Sequence, residues 1–180
     1  MDAKQGLLDL FGAPSDEHPA RTTLRRIVTT DVTVSQLLEG SSKEPIRLVK
    51  LAERFTTADA DAPDLDLPSS AVILRRTELF QGAVSGESFA YADSVVTPGG
   101  LDPDVVDRLV GSDQPVGRVL GHYLVDAFRE VQSVGFERAG TCATHFGVAP
   151  DSMVLVRRCR IHAQGRPVMR STQKFPIGHF

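Results

Sequence analysis

Cysteine is scarce in this chain: Cys142 and Cys159 are its only two. Two cysteines cannot build the disulfide framework of a small secreted scaffold, and they read as free thiols of a reducing, cytoplasmic compartment. Positive charge is not in excess either. The formal net charge is −3, which argues against a nucleic-acid-binding surface, a role that calls for a strong basic surplus. Long apolar runs are missing. Nothing approaches the roughly 18 residues that a membrane span needs. The stretch from Met1 to Gly12 carries Asp2 and Asp9 where a secretory signal would have an apolar core. Catalytic signatures are missing too: no Gly-x-Ser-x-Gly elbow, no phosphate loop and no dinucleotide fingerprint. Cys142-Ala-Thr-His145 has the spacing of half a zinc site. Four ligands are usual, with only His122, Cys159 and His162 as further candidates, so a buried cysteine and a loop histidine are expected and no metal.

What is present fits one domain. A chain of 180 residues with 41% hydrophobic content can bury a sizeable core. Residues 1–20 read as an N-terminal arm, with Leu7, Leu8, Leu10 and Phe11 able to dock before Gly12 and Pro14 stop them; residues 21–180 form the body. Thr33 and Gln36 have capping-box spacing. Val34, Leu37 and Leu38 then share a helical face, and Gly40 is the expected stop. A strand is expected over 45–55. The aspartate-rich stretch from Thr56 to Ser70 lacks the glycine and glutamate of a calcium loop and reads as solvated loop.

Ala71 to Gln81 and Glu87 to Val96 are β-rich runs joined by a glycine-bearing turn. Asp102 as N-cap with Pro103 next opens a helix whose buried face is Val105, Val106, Leu109 and Val110, ended by Gly111. Another helical stretch opens at 113–118. The segment from His122 to Glu137 fits a helix or a strand equally. Met153 to His162 and Val168 to Phe175 flank a turn and make a terminal hairpin, with Gln173 on its more apolar side. Hairpins dominate, so the expected fold is α+β: about six strands in a largely antiparallel sheet with short helices on one face.

Arginine is concentrated in the strands, at Arg75, Arg76, Arg157, Arg158 and Arg160. Most are expected to face solvent beside acids such as Glu78. One in an apolar setting would make a two-pronged carboxylate clamp. Arg75 alternates with Ile73 and Leu79, and Arg76 with Leu74 and Phe80, so periodicity does not choose between them.

Four ordered segments resemble the chorismate pyruvate-lyase family. They are Thr30 to Val34 running into Leu37-Leu38-Glu39; Leu74-Arg75-Arg76 with Tyr91 to Val96; Gly111 to Leu120; and Gly165-Arg166-Pro167 leading to Gln173-Lys174-Phe175-Pro176. The resemblance implies a chorismate lyase-like fold with two flaps over a closed pocket, and favours the strand reading of His122 to Glu137. It implies cleavage of chorismate to 4-hydroxybenzoate and pyruvate with no cofactor, and a ring carboxylate as the small-molecule partner. Carried over, Arg75 binds that carboxylate with the backbone N–H of Val116, ahead of Gly117, as a second donor, and Val34 covers the ring. The family's last-strand glutamate falls on Gln173 or on Thr172, and neither is an acid. Asp93 stands where some members carry an arginine; a carboxylate there repels a dianionic substrate unless it faces away or is paired, and would serve as an acid or base in a different reaction.

Those substitutions open a second reading, a cyclase, isomerase or dehydratase of specialised metabolism acting on another ring-containing or polyene substrate. A third is a non-enzymatic small-acid-binding module, since a related fold serves as the effector domain of some transcription regulators. Those regulators carry a separate DNA-binding region, for which 20 residues ahead of the body are too few.

Overall fold

The computed structural model describes residues 19–29, 33–58, 65–124 and 126–180. The expected arm, apart from its last two residues, lies outside them, as do Thr30 to Val32, the aspartates Asp59, Asp61 and Asp64, and Val125. Six strands form one sheet in the order β1-β2-β3-β6-β5-β4. They are β1 (Ile46–Thr57), β2 (Val72–Gly82), β3 (Ser88–Val96), β4 (Phe128–Arg138), β5 (Met153–Ala163) and β6 (Arg166–Pro176). Every pairing is antiparallel. The β5–β6 turn needs only Gln164 and Gly165, both at positive φ (52° and 71°), the geometry that matches the twist of two paired strands.

Among the described residues there are five α-helices: α1 (Pro19–Thr29), α2 (Val34–Ser42), α3 (Pro103–Val110), α4 (Val116–Tyr123) and the single-turn α5 (Ala143–Phe146). The first four cover one face of the sheet in two groups. Leu24, Ile27 and Val28 of α1 and Val34 and Leu38 of α2 pack with Phe80, Ala92, Leu155 and Phe175. Val105 and Leu109 of α3 and Val116, Val119 and Leu120 of α4 pack with Leu74, Val96, Ile161 and Met169. On the other face α5 sits over Val154 and Val156, and Leu65 covers Ile73 and Val95.

Helix ends follow the sequence closely. Thr33 and Gln36 form the capping box at α2, and Asp102 caps α3 by accepting from the Asp104 N–H at 2.9 Å. Thr33→Ala is expected to cost about 1 kcal/mol, measurable by urea denaturation.

Three expectations need correction. Gly40 does not stop α2. The Ser41 and Ser42 hydroxyls bond back to the Leu37 and Leu38 carbonyls, and the turn to the left-handed region comes at Lys43, φ 57°. The 113–118 helix starts only at Val116, because Pro115 is extended and acts as the N-cap. The ambiguous 122–137 segment divides: α4 runs through Tyr123, and β4 begins at Phe128. Helix α1 was not anticipated, although Leu24, Ile27 and Val28 have helical spacing and are buried.

Candidate functional site

On the helix-covered face, four central strands share one pattern: two small or polar inward positions flanked by apolar ones. β2 carries Leu74, Arg76, Glu78 and Phe80; β3 carries Val96, Ser94, Ala92 and Ala90; β6 carries Met169, Ser171, Gln173 and Phe175; β5 carries Ile161, Cys159, Arg157 and Leu155. Strand register aligns these into two rows. Glu53, Arg76, Ser94, Ser171 and Cys159 make one; Lys50, Glu78, Ala92, Gln173 and Arg157 make the other. A polar stripe therefore crosses the sheet at the seam between the two apolar clusters. A cavity lies on this stripe, roofed by Thr33, Val34 and Ser35 of the α2 start and by Pro115 and Gly117 of the α4 start.

The cavity is nearly shut. Its free volume is about 20 Å³, room for about one water, whereas ligand pockets usually enclose about 300–1,000 Å³. An outer recess of about 360 Å³ shares Thr33, Gly117, Arg129 and Ile161 with it. Arg129 stands at the junction, its Nη2 so near Gly117 that a Cβ there would lie 3.0 Å away. A larger recess, about 700 Å³, lies between Leu65 and Val168, away from the polar stripe. The stripe brings several buried polar and charged groups that give a ligand orientation, whereas Thr97 is the one buried polar residue among the described residues lining the larger recess.

Arg76 is completely buried. Its Nη1 donates to the Leu109 carbonyl at 3.1 Å, and its Nη2 to the Ser112 and Gln114 carbonyls at 3.1 and 3.0 Å. Its Nε lies 2.6 Å from a Glu78 carboxylate oxygen, and Nη1 is 3.5 Å from Glu53. The guanidinium thereby ties the α3–α4 loop to the sheet and sets the Pro115-Val116 turn. The Val116 N–H reaches the Glu78 carboxylate from above. Burial pushes the Glu78 carboxyl up to about 7, against the opposing pull of Arg76 and Lys50.

Gln173 is held from the other side. Arg157, also completely buried, donates from Nε and Nη2 to the Gln173 Oε1 at 2.9 and 2.7 Å. A guanidinium can only donate, so the amide oxygen must face it, and the amide NH₂ is left to a ligand. The Arg157 Nη1 bonds the Ile27 carbonyl in the last turn of α1. Ser94 and Ser171 hydroxyls pair at 3.1 Å on the floor. The Ser35 hydroxyl, buried under the roof, has no hydrogen-bond partner. Burial raises the Cys159 thiol and outweighs Arg157 and Arg129, so it stays protonated and is no ready nucleophile.

The residues singled out in the sequence separate into two sets. Gln173, Val34 and Gly117 line the cavity, and Val116 supplies a backbone donor to it. Arg75, Asp93 and Thr172 lie on the opposite face, because each is one residue out of phase with the cavity positions. The structure thus does not bring Arg75 to the pocket; the cavity-side arginine of that pair is Arg76. Glu78, Ser35, Arg129 and Arg157 were not assigned to the site from sequence. The polar interruption of four apolar inner faces is the signal that would have found Glu78 and Arg157. Cys142 is buried and His145 stacks on Tyr91, with ring centroids 5.8 Å apart.

Comparison with known proteins supplies independent findings. The family profile described as Chorismate pyruvate-lyase Rv2949c-like matches residues 28–178. A chorismate pyruvate-lyase of Mycobacterium leprae is 24% identical over 153 residues, which cover 84% of this chain and 73% of that protein. Among solved structures, the effector domain of PhnF from Mycobacterium smegmatis superposes with a TM-score of 0.64 at 9% identity, covering 82% of this chain and 90% of that one. The ligand-binding domain of a GntR-family regulator from Bordetella bronchiseptica gives 0.56 at 17% identity, covering 72% and 84%. At such identities the structural likeness bears on the fold alone. No helix among the described residues is long and apolar enough to cross a membrane.

Proposed function

The chain belongs to the Rv2949c-like chorismate pyruvate-lyase family, and on that premise we propose that it binds a small ring carboxylic acid beneath α2 and α4 and cleaves chorismate, or a close relative, to 4-hydroxybenzoate and pyruvate. One observation carries the reading. Arg76 and the Val116 N–H converge on a single carboxylate at one end of the closed cavity. That carboxylate is the Glu78 side chain, and a ring carboxylate is the same chemical group. Two strands further along the same row stands Gln173, at roughly 10 Å between backbones. The cavity as it stands has room for about one water, so a ring enters only as the α2 and α4 roof lifts toward the adjoining recess, with the Gln173 amide NH₂ then donating to its far oxygen.

The reaction asks little more than this of the protein. The bond between the ring and the enolpyruvyl oxygen breaks. The ring loses a hydrogen from the carbon bearing its hydroxyl, and that hydrogen ends on the enolpyruvyl CH₂ as part of the pyruvate methyl. Atoms balance with no co-reactant, and aromatisation makes the step strongly downhill. Orientation and stabilisation of developing charge then suffice. Val34 excludes water from above, which strengthens every polar contact below it. Gln173 donates a hydrogen bond and transfers no proton.

The test is incubation of the purified protein with chorismate, following pyruvate by a coupled assay and 4-hydroxybenzoate by chromatography. Both products in equal amounts are the expected result, unchanged in Arg75→Ala. The commitment of Gln173 to Arg157 favours a second reading, a different reaction on another ring-containing acid. That reading takes over if no pyruvate forms while 4-hydroxybenzoate still raises the melting temperature. A binding module without turnover would show the same protection with every candidate substrate intact.

A further inference from the structure

Glu78 is the only acid among the described residues that line the cavity. It is 2% exposed, although nothing apolar requires a carboxylate there. We propose that Glu78 is a built-in occupant of the pocket's anion site, so that an incoming ligand carboxylate and an ionised Glu78 exclude one another on Arg76 and Val116. The inference rests on the reading of this cavity as a ring-acid pocket and adds what governs entry to it.

The donor count leads to this conclusion. A guanidinium has five N–H groups. Those of Arg76 on Nη1 and Nη2 serve three backbone carbonyls, with Glu53 3.5 Å from Nη1, while Nε lies 2.6 Å from a Glu78 carboxylate oxygen as an ion pair in which neither atom has a hydrogen-bond partner. The carbonyl bonds hold the α3–α4 loop in place and are not available for exchange. Glu78 lines the cavity where Arg76 does not, and its carboxylate stands against the Arg76 Nε and the Val116 N–H. With about 20 Å³ of free space beside it, a ligand carboxylate reaches Arg76 only by replacing that of Glu78.

The surrounding charges set the cost of that exchange. On its own strand Glu78 has Arg76; from β1 it faces Lys50 and Glu53; α4 offers the Val116 N–H. β3 places the uncharged Ala92 and Ser94 beside it, and two further cations line the cavity, Arg118 of α4 and Arg129 of β4. Two ionised carboxylates in so small a site repel strongly. A displaced Glu78 therefore takes up a proton. Burial already brings it near neutrality, with its carboxyl at about 7, so the exchange is easy below that pH and harder above it.

The experiment is calorimetric titration of benzoate and 4-hydroxybenzoate into the whole wild-type protein and into Glu78→Gln between pH 5.5 and 8.5. Wild-type affinity is expected to fall about tenfold per pH unit above about 7, as one linked proton requires. Buffers of different ionisation heat should show uptake of about one proton per ligand at pH 8. Glu78→Gln should bind with flat pH dependence and exceed the wild type at pH 8. If that variant does not fold, the wild-type proton count alone decides. Binding with no proton uptake and no pH dependence would overturn the role of Glu78 and leave the lyase reading intact if chorismate still yields pyruvate. Proton-linked binding without pyruvate would keep Glu78 and remove the lyase. No binding at any pH, pH 5.5 included, would overturn both.

Discussion

Arg76→Met should lower stability by about 3–5 kcal/mol, the usual cost of breaking a buried charge network by removing one partner. The methionine would keep much of the volume and none of the donors. The carbonyls of Leu109 in α3 and of Ser112 and Gln114 in the loop after it would lose their partner, and Glu53 and Glu78 would keep Lys50 as a nearby cation. The loss should grow with pH. The Glu78 carboxyl, already raised by burial, would lose the opposing pull of Arg76 and be held further above its unfolded value. A group with a raised folded pKa binds more protons folded than unfolded, so stability falls as pH climbs from the unfolded value toward the folded one. Thermal melts at pH 5 and pH 8 would show the difference. Arg75→Met is the matched control. Arg75 is half-buried on the other face, and its replacement should cost about 1 kcal/mol or less. Equal losses from the two variants would contradict the assignment of faces along β2.

The Arg75–Arg76 choice shows where sequence reading stopped. Alternation identifies a buried face only when the other face is wet. β2 is covered on both sides: Ile73 lies under Leu65, and Leu74 lies under α3 and α4. Both arginines then sit in apolar company, and nothing within the strand breaks the tie. The hairpin turns, the capping box of α2 and the Asp102 cap were legible because their chemistry is local. Gln173 was legible because the β5–β6 turn fixes its strand's phase. Helix α1 has a clear apolar stripe, but it follows a stretch that reads as an arm, and its partners are distant strands. Glu78 was read as a surface partner for an arginine. Its arginine is real, but the surface is not, since α4 roofs the pair with the Val116 N–H.

The site also depends on Arg157, for which Arg157→Leu is expected to cost about 3 kcal/mol or more, at roughly 1.5–3 kcal/mol for each bond to a charged group. Two of its bonds fix Gln173, and the third goes to the Ile27 carbonyl. That carbonyl belongs to the last turn of α1, where no intrahelical N–H remains to meet it. Arg157 therefore connects the floor of the cavity to the helix that leads into the α2 roof. Its loss should act twice: on stability, read by urea denaturation, and on ligand affinity, because a Gln173 amide without its anchor no longer presents NH₂ alone. Gln173→Ala should lower affinity with a smaller loss of stability, since Arg157 keeps its bond to Ile27. Gln173→Glu would set a carboxylate against the same guanidinium, which favours the ionised form. The new group would accept bonds and repel an anionic ligand, so pyruvate formation should fall in that variant. A rise would mean that the glutamate works as an acid despite Arg157, and that Gln173 marks a lost proton donor.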